Sequence, residues 1–289
     1  MSQSKLLTLG HSPDPDDAFM FYALAEDKID TKGWRFEHIL QDIQTLNERA
    51  TRGELHISAI SIHAYAHVLD RYALLPCGAS MGDGYGPMLI VRRGTPLPDC
   101  SDLDAVRDWL RSRTIAVPGK MTSAFLALGL FMGESRNVVV PFDEIFDAVT
   151  TGVADVGLII HEGQLTYSRD GFDKVIDLGE WWKNETGLPL PLGGNVIRKD
   201  LSVSERSAIN EVLRESIRYG LEHRAAGVAH AMPLARGMDT ELADRFIGMY
   251  VNEFTLDYGD VGRRAIREFL GRAHQAGLIP APVELEFVK

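Results

Sequence analysis

The chain has 289 residues, 45% apolar and 25% charged, which is long enough for two packed α/β lobes and too ordinary for a disordered chain. Lysine and arginine total 30 against 41 acids, a formal charge of -11; this argues against duplex nucleic acid or an anionic membrane as the main partner, and an anionic ligand needs a local exception. No apolar run approaches the roughly 18 to 20 residues of a membrane span, the opening segment meets Pro13 and a run of aspartates before any signal-like core develops, and the expected address is the cytoplasm. Cys77 and Cys100 make neither a disulfide framework nor a zinc set.

From the N-terminus, short β-like runs alternate with helix-like stretches: LLTLG, DDAFMFYALAEDK, WRFEHIL, IQTLNERATRG and HISAIS. This βαβαβ pattern predicts a parallel sheet covered by helices. The first helix has a clear start, in which Asp14 can cap, Pro15 suits the first turn, and Asp16 and Asp17 complement the helix dipole. Any functional reading of Asp14 therefore competes with a capping one. The glycine-dense segment Gly82–Pro87, followed by MLIVRR, is the first candidate crossover.

A second series, TIAVPG, TSAFLALGLFMG, RNVVVPF, DEIFDAVTTG, ADVGLII, GQLTYSRDG and KVIDLGE, predicts a second α/β unit. The chain is expected to return through Leu188–Gly194, where two prolines and two glycines in seven residues discourage continuous helix or strand. From Ser202 the pattern is helical. Ser202 and Glu205 have capping-box spacing, Asp239 or Thr240 opens another helix, and Gly277 with Pro280 closes the last. The expected division is a discontinuous first lobe of residues 1–86 and 201–289, with residues 87–200 as an inserted second lobe. Two crossings then form a hinge, and function is expected in the cleft, at the turns that follow strands.

Those turns are Ser12-Pro13-Asp14, Ser61, Pro118–Ser123 and His161-Glu162-Gly163. The third is the best anion site: Gly119 permits close backbone approach, Thr122 and Ser123 add hydroxyls at a helix start, and Lys120 adds charge. The competing reading is an N-cap on a buried helix, since FLALGLFM is apolar nearly all round. His161 follows a strongly apolar strand and precedes an acid and a glycine, which puts an imidazole at a cleft rim, suited to base chemistry near neutral pH. It could equally be a hydrogen-bonded histidine at a strand end. Glu162 fits a helix-start acid, a group behind the ring, or a partner that orients it.

Other motifs carry less. His63 and His67 stand four apart, but the glutamate of a His-Glu-x-x-His site and a third ligand are missing, so both read as packing or surface histidines and no metal is expected. Pro87 stands where a dinucleotide-binding loop beginning at Gly82 needs its third glycine, and no Walker lysine motif or Gly-x-Ser-x-Gly elbow occurs, so no nucleotide cofactor is expected. Trp181 and Trp182 read as packing between elements.

Taken in order, SPDPDDAFMFYAL, ISAISIHAYAHVL, GDGYGPMLIV, AVPGKMTSAFLAL, LIIHEGQLTY, LGEWWKNETGLPLPLGGNVIRKDL and MYVNEFT resemble the 1,4-dihydroxy-6-naphthoate synthase family of the futalosine route to menaquinone, over most of the chain. The resemblance implies an α/β fold of the type II periplasmic-binding-protein kind, two lobes about a hinge with an interlobe cleft. It also implies a carbon-carbon lyase that splits cyclic dehypoxanthine futalosine into the dihydroxynaphthoate and a sugar-derived fragment without metal or organic cofactor. The family base then falls on His161, while Ser61, Thr122 and Ser123 match pocket segments that would hold a carboxylate or sugar hydroxyls. Ser12, Asp14, Lys120 and Glu162 complete the expected substrate-binding set. Many members carry Ser-Pro-Cys-Pro-Asn-Asp at the first turn, where this chain has Ser12-Pro13-Asp14-Pro15-Asp16-Asp17. The expected partner is a small-molecule carboxylate, with oligomeric state left open. Two alternatives remain: a chorismate dehydratase of the same pathway, opposed by the His-Glu-Gly block, and a non-catalytic solute-binding protein, opposed by the missing export signal.

Overall fold

Alternating apolar runs and amphipathic helices collapse into two sheets, described here from a computed structural model over residues 5–289. Residues 1–4, part of the expected first lobe, lie outside the described residues. In chain order the strands are β1 (Lys5–His11), β2 (Trp34–Leu40), β3 (Ile57–Ser61), β4 (Tyr72–Leu74), β5 (Ser80–Gly82), β6 (Met88–Arg92), β7 (Thr114–Val117), β8 (Arg136–Val139), β9 (Val156–Ile159), β10 (Phe172–Asp177) and β11 (Leu190–Arg198). One sheet has the order β2-β1-β3-β11-β4, with β5 also on β11, and the other has the order β10-β6-β9-β7-β8.

Both sheets are mixed rather than purely parallel. β1 runs parallel to β2 and β3, but β11 runs antiparallel to β3, β4 and β5. In the second sheet β7 is parallel to β8 and β9, while β6 is antiparallel to β9 and β10. The segment expected to resist regular structure is therefore a strand, and residues 190–198, expected in the inserted lobe, pair in the first sheet. The register shifts between Pro191 and Gly193, an irregularity that lets the strand absorb a proline that cannot donate. Beyond it, Asn195-Val196-Ile197 supplies an ordinary strand, with Val196 and Ile197 fully buried.

The expected first helix is also two pieces, Pro15–Met20 and Tyr22–Ala25, with Asp14 in the N-cap position of the first but making no side-chain cap bond. By contrast, Asp42, Thr122, Asp177 and Asp239 cap through their side chains. The Ser202–Glu205 capping box is formed at the start of the long helix Val203–Glu222. Among the described residues no helix is long and apolar enough to cross a membrane.

The tryptophan pair packs between elements. Trp182 is fully buried, donates from Nε1 to the Pro189 carbonyl at 3.1 Å and meets Phe269 edge-on, while Trp181 lies against Phe131. Gly179, in the same helix (Leu178–Thr186), lies directly on the first crossing. A Cβ there would fall 2.0 Å from the Tyr85 carbonyl oxygen, and Leu178 N donates to the Pro87 carbonyl at 2.9 Å. Because the obstacle is backbone, Gly179→Ala must displace the crossing itself. It is expected to lower unfolding free energy by about 1–3 kcal/mol, measured as a reduced urea midpoint.

Candidate active site

Between the two sheets lies a cleft of about 820 Å³, part of it open to solvent, reached by the turns after β1, β3 and β7 and floored by β11. Its apolar and partly aromatic lining comes from Met20, Ile43, Ile160, Leu192, Phe246 and Tyr250. Such a wall suits a flat apolar ligand body, with polar groups at its margins to orient it.

The turn after β1 makes an acidic margin. Ser12 N donates to Asp17 Oδ2 at 2.6 Å, and the Ser12 hydroxyl donates to Asp14 Oδ2. Asp14 also accepts from Arg236 Nη1 at 2.6 Å. Burial, then the neighbouring Asp17 and Asp14 carboxylates, hold Asp16 well above the usual carboxylate range. Burial and, less, Asp14 push Asp17 up to about 7 against the opposing Ser12 N–H. Burial therefore favours the protonated form of Asp16, which in that form can donate a hydrogen bond.

The opposite margin is the start of the helix Ser123–Met132. Thr122 Oγ1 donates to the Gly119 carbonyl at 2.8 Å and accepts from Phe125 N, while Ser123 Oγ donates to the Leu192 carbonyl and accepts from His63 N. Both hydroxyls are thus occupied within the protein. Ser123 and Ala124 also line the cavity, and their first-turn N–H groups are ones that a helix cannot satisfy internally. Ser61 differs: its Oγ accepts from Asn47 Nδ2 at 3.0 Å, leaving its own hydrogen for a ligand. Gly119 has φ +151, and a Cβ there would strike Gln44, which accepts from Met121 N at 3.1 Å. Lys120 is exposed and does not reach the cavity wall, so its side chain is not among the groups brought together.

His161 lies one layer back. The cavity wall at this point is Ile160 and Gln164, while His161 is 7% exposed and packs edge-on between Phe142 and Phe146. Its Nδ1 accepts from Gly163 N at 2.9 Å, and its Nε2 is buried without a partner. Burial holds its pKa below the ordinary histidine value despite the nearby Glu162 carboxylate. The ring is therefore neutral at pH 7, and a ring that accepts at Nδ1 carries its hydrogen on Nε2. Gly163 is required beneath it, since a Cβ would come within 2.6 Å of both His161 Cε1 and Phe146. Glu162 accepts from Arg236 Nη1 at 3.2 Å, and its Oε2 stands 3.8 Å from His161 Nδ1. His63, the other histidine near this margin, donates from Nδ1 to the Thr122 carbonyl at 3.2 Å, a packing role.

Several groups at the site had no motif to announce them. Asn195 lines the cavity with a buried amide nitrogen that has no partner, and a Cβ on Gly78 would fall 2.0 Å from that nitrogen. Gln164 accepts from the Tyr250 hydroxyl, and Ser80 shares the floor. Among the described residues, no cluster of three or more His, Cys, Asp or Glu side chains could hold a metal ion.

Two sheets with helices about a central cavity are the fold of periplasmic binding proteins. The chain superposes on the alkanesulfonate-binding protein of Xanthomonas axonopodis pv. citri bound to MOPS with TM-score 0.70 at 12% identity, over 98% of this chain and 97% of that one, a likeness of fold alone. A crystal structure of an Archaeoglobus fulgidus protein matches far better, at TM-score 0.87 and 41% identity over 95% of this chain and 98% of that one. The model of a family described as menaquinone biosynthesis matches residues 7–275, and the chain belongs to that family. It is 39% identical over 281 residues to the 1,4-dihydroxy-6-naphthoate synthase of Streptomyces coelicolor, covering 95% of each chain. It is also 39% identical to the enzyme of that name from Thermus thermophilus, covering 96% of this chain and 97% of that one.

The acidic margin makes a testable demand on stability. Carboxyls whose folded-state pKa is raised lose stability as pH climbs from the ordinary carboxylate range through the folded value, because the fold then has to hold the ion. Asp16→Asn removes one such group. The variant is expected to melt above the parent at pH 8 and together with it at pH 4, as followed by circular dichroism.

Proposed function

We propose that the protein is a 1,4-dihydroxy-6-naphthoate synthase, a lyase that converts cyclic dehypoxanthine futalosine to the dihydroxynaphthoate for menaquinone, and that it works in the cytoplasm. The observation that carries this reading beyond the family's general role is the cavity. It combines an apolar and partly aromatic lining with the start of the helix Ser123–Met132 and a set of polar side chains, which together suit an aromatic carboxylate joined to a sugar-derived portion.

In this reading Ser123 N and Ala124 N grip the carboxylate, and the Ser61 hydroxyl donates a further bond. Phe246, Tyr250, Ile160 and Leu192 flank the ring system. Asp14, Asp16, Asp17 and Asn195 orient the hydroxyls, with Ser12 fixing the two aspartates that it bonds. Lys120 contributes only long-range positive charge. Closure of the two lobes about the crossings at 82–87 and 187–190 excludes water and orders the substrate.

His161 is the general base. It removes a proton from the sugar portion, the bond joining that portion to the ring system breaks, and the aromatic fragment leaves as a stabilised product. A base needs its lone pair toward the substrate, and in the neutral ring that pair sits on Nδ1, so the Gly163 N–H must release it while Arg236 goes on holding Glu162 aside. The 160–164 turn must also move to bring Nδ1 past Ile160 and Gln164.

Naphthoate release, followed by absorbance and mass spectrometry, tests this directly. The wild-type protein is expected to consume cyclic dehypoxanthine futalosine, and His161→Asn to bind it while turning over about 10²–10⁴-fold more slowly. Unchanged turnover in the variant would remove His161 from the mechanism. Consumption of chorismate instead would give the site a different substrate, and a tightly held solute with no turnover would make it a receptor.

A further inference from the structure

The turns after β1 and β9 belong to different sheets, yet one guanidinium holds both. Arg236 Nη1 donates to Asp14 Oδ1 at 2.6 Å and to the two Glu162 oxygens at 3.2 and 3.4 Å, and Nη2 donates to the Pro13 carbonyl at 3.2 Å. Its guanidinium carbon lies 4.9 Å from the Phe142 ring centroid, and that ring packs edge-on against His161 at 5.8 Å. Arg236 has φ +40, a left-handed conformation unfavourable for a residue with a Cβ, which persists where the surroundings impose it.

Glu162 is where two demands meet. Its side chain is 9% exposed, so its charge requires a partner. Two candidates stand beside it, Arg236 within hydrogen-bond reach and His161 Nδ1 at 3.8 Å, beyond it. While Arg236 holds the carboxylate, Nδ1 is left to the Gly163 N–H. The charged groups facing the imidazole are Glu162, Asp14 and Asp143, which favour its protonation, and Arg236, which opposes it. Without the guanidinium, three carboxylates would face the ring and Glu162 would turn to it.

We propose that Arg236 is a positioning residue for the reaction: it clamps the turn after β9 against the turn after β1 and keeps Glu162 off the His161 ring, so that the imidazole meets the substrate neutral. The role rests on His161 being the base, and the test separates the two ideas because the ring can be observed without substrate.

The full-length protein, labelled with ¹⁵N in its histidine rings, is titrated by NMR, with the His161 signals identified by their loss in His161→Gln. In Arg236→Gln the His161 ring is expected to bind its proton about tenfold more tightly, a shift of about one pH unit, and Arg236→Lys is expected to restore most of the difference. Glu162→Gln should move the titration the opposite way. With cyclic dehypoxanthine futalosine, Arg236→Gln is expected to lose kcat at pH 7 and regain it toward pH 9, with a smaller change in KM. A folded Arg236→Gln whose His161 titrates as in the wild type overturns the proposal. If that variant does not fold, an unchanged titration in Glu162→Gln overturns it equally. A shifted titration with an unmoved pH profile shows that the clamp does not serve catalysis, which also overturns it. A shifted titration in a protein that consumes no substrate supports the clamp and instead removes the lyase reading.

Discussion

The position of β11 is the constraint on which the rest of the molecule depends. It runs antiparallel between β3 and β4, so the chain must leave the first sheet after β5, build the second, and come back through the first. The cavity floor is a direct product of that return, since the residues opposite Ser61, Ile60 and Ala59 are Gly193, Gly194 and Asn195. Gly194 makes room for the Tyr258 hydroxyl, which would lie 2.2 Å from a Cβ there, and Asn195 lines the floor with a buried amide nitrogen that has no partner.

Charge is arranged against the chain's overall acidity rather than by reversing it. Glu162 and Asp14 share one guanidinium, burial favours the protonated forms of Asp16 and Asp17, and the helix start presents dipoles instead of cations. Lys120, the residue that would have made the helix start locally basic, points its charge to solvent. An acidic protein can in this way offer a cavity that tolerates a carboxylate at one margin and donates hydrogen bonds at the other.

Much of the fold was legible because it is written in short-range signals. Caps at Thr122, Asp239 and Ser202 follow local rules, as do the strand runs that open the chain. The residues at the turns after β1, β3 and β7 could be named because the C-terminal ends of parallel strands converge, and Ser12, Asp14, Ser61, Thr122 and Ser123 do reach the cavity. Local rules failed where a long-range partner decided. Two prolines in the return segment argue against a strand until β3 and β5 are there to receive it, and Asp14 gives up its capping role because Arg236, 222 residues away, takes its carboxylate. Arg236, Asn195 and Gln164 were invisible for the same reason, since each acquires meaning only from a neighbour distant in the chain. His161 was identified as a strand-end imidazole, but no pattern could reveal that Ile160 and Gln164 stand in front of it.

The hydroxyls of Thr122 and Ser123 are both turned inward, so the donors at that margin belong to the main chain. Main-chain donors are common to all residue types except proline. In the proposed reading, exchanges along this margin that keep the Thr122 cap and the Ser123 bridge leave those donors in place, and drift toward a new ligand begins elsewhere, among Asn195, Ser80 and the aspartates, where chemical identity is carried by replaceable atoms.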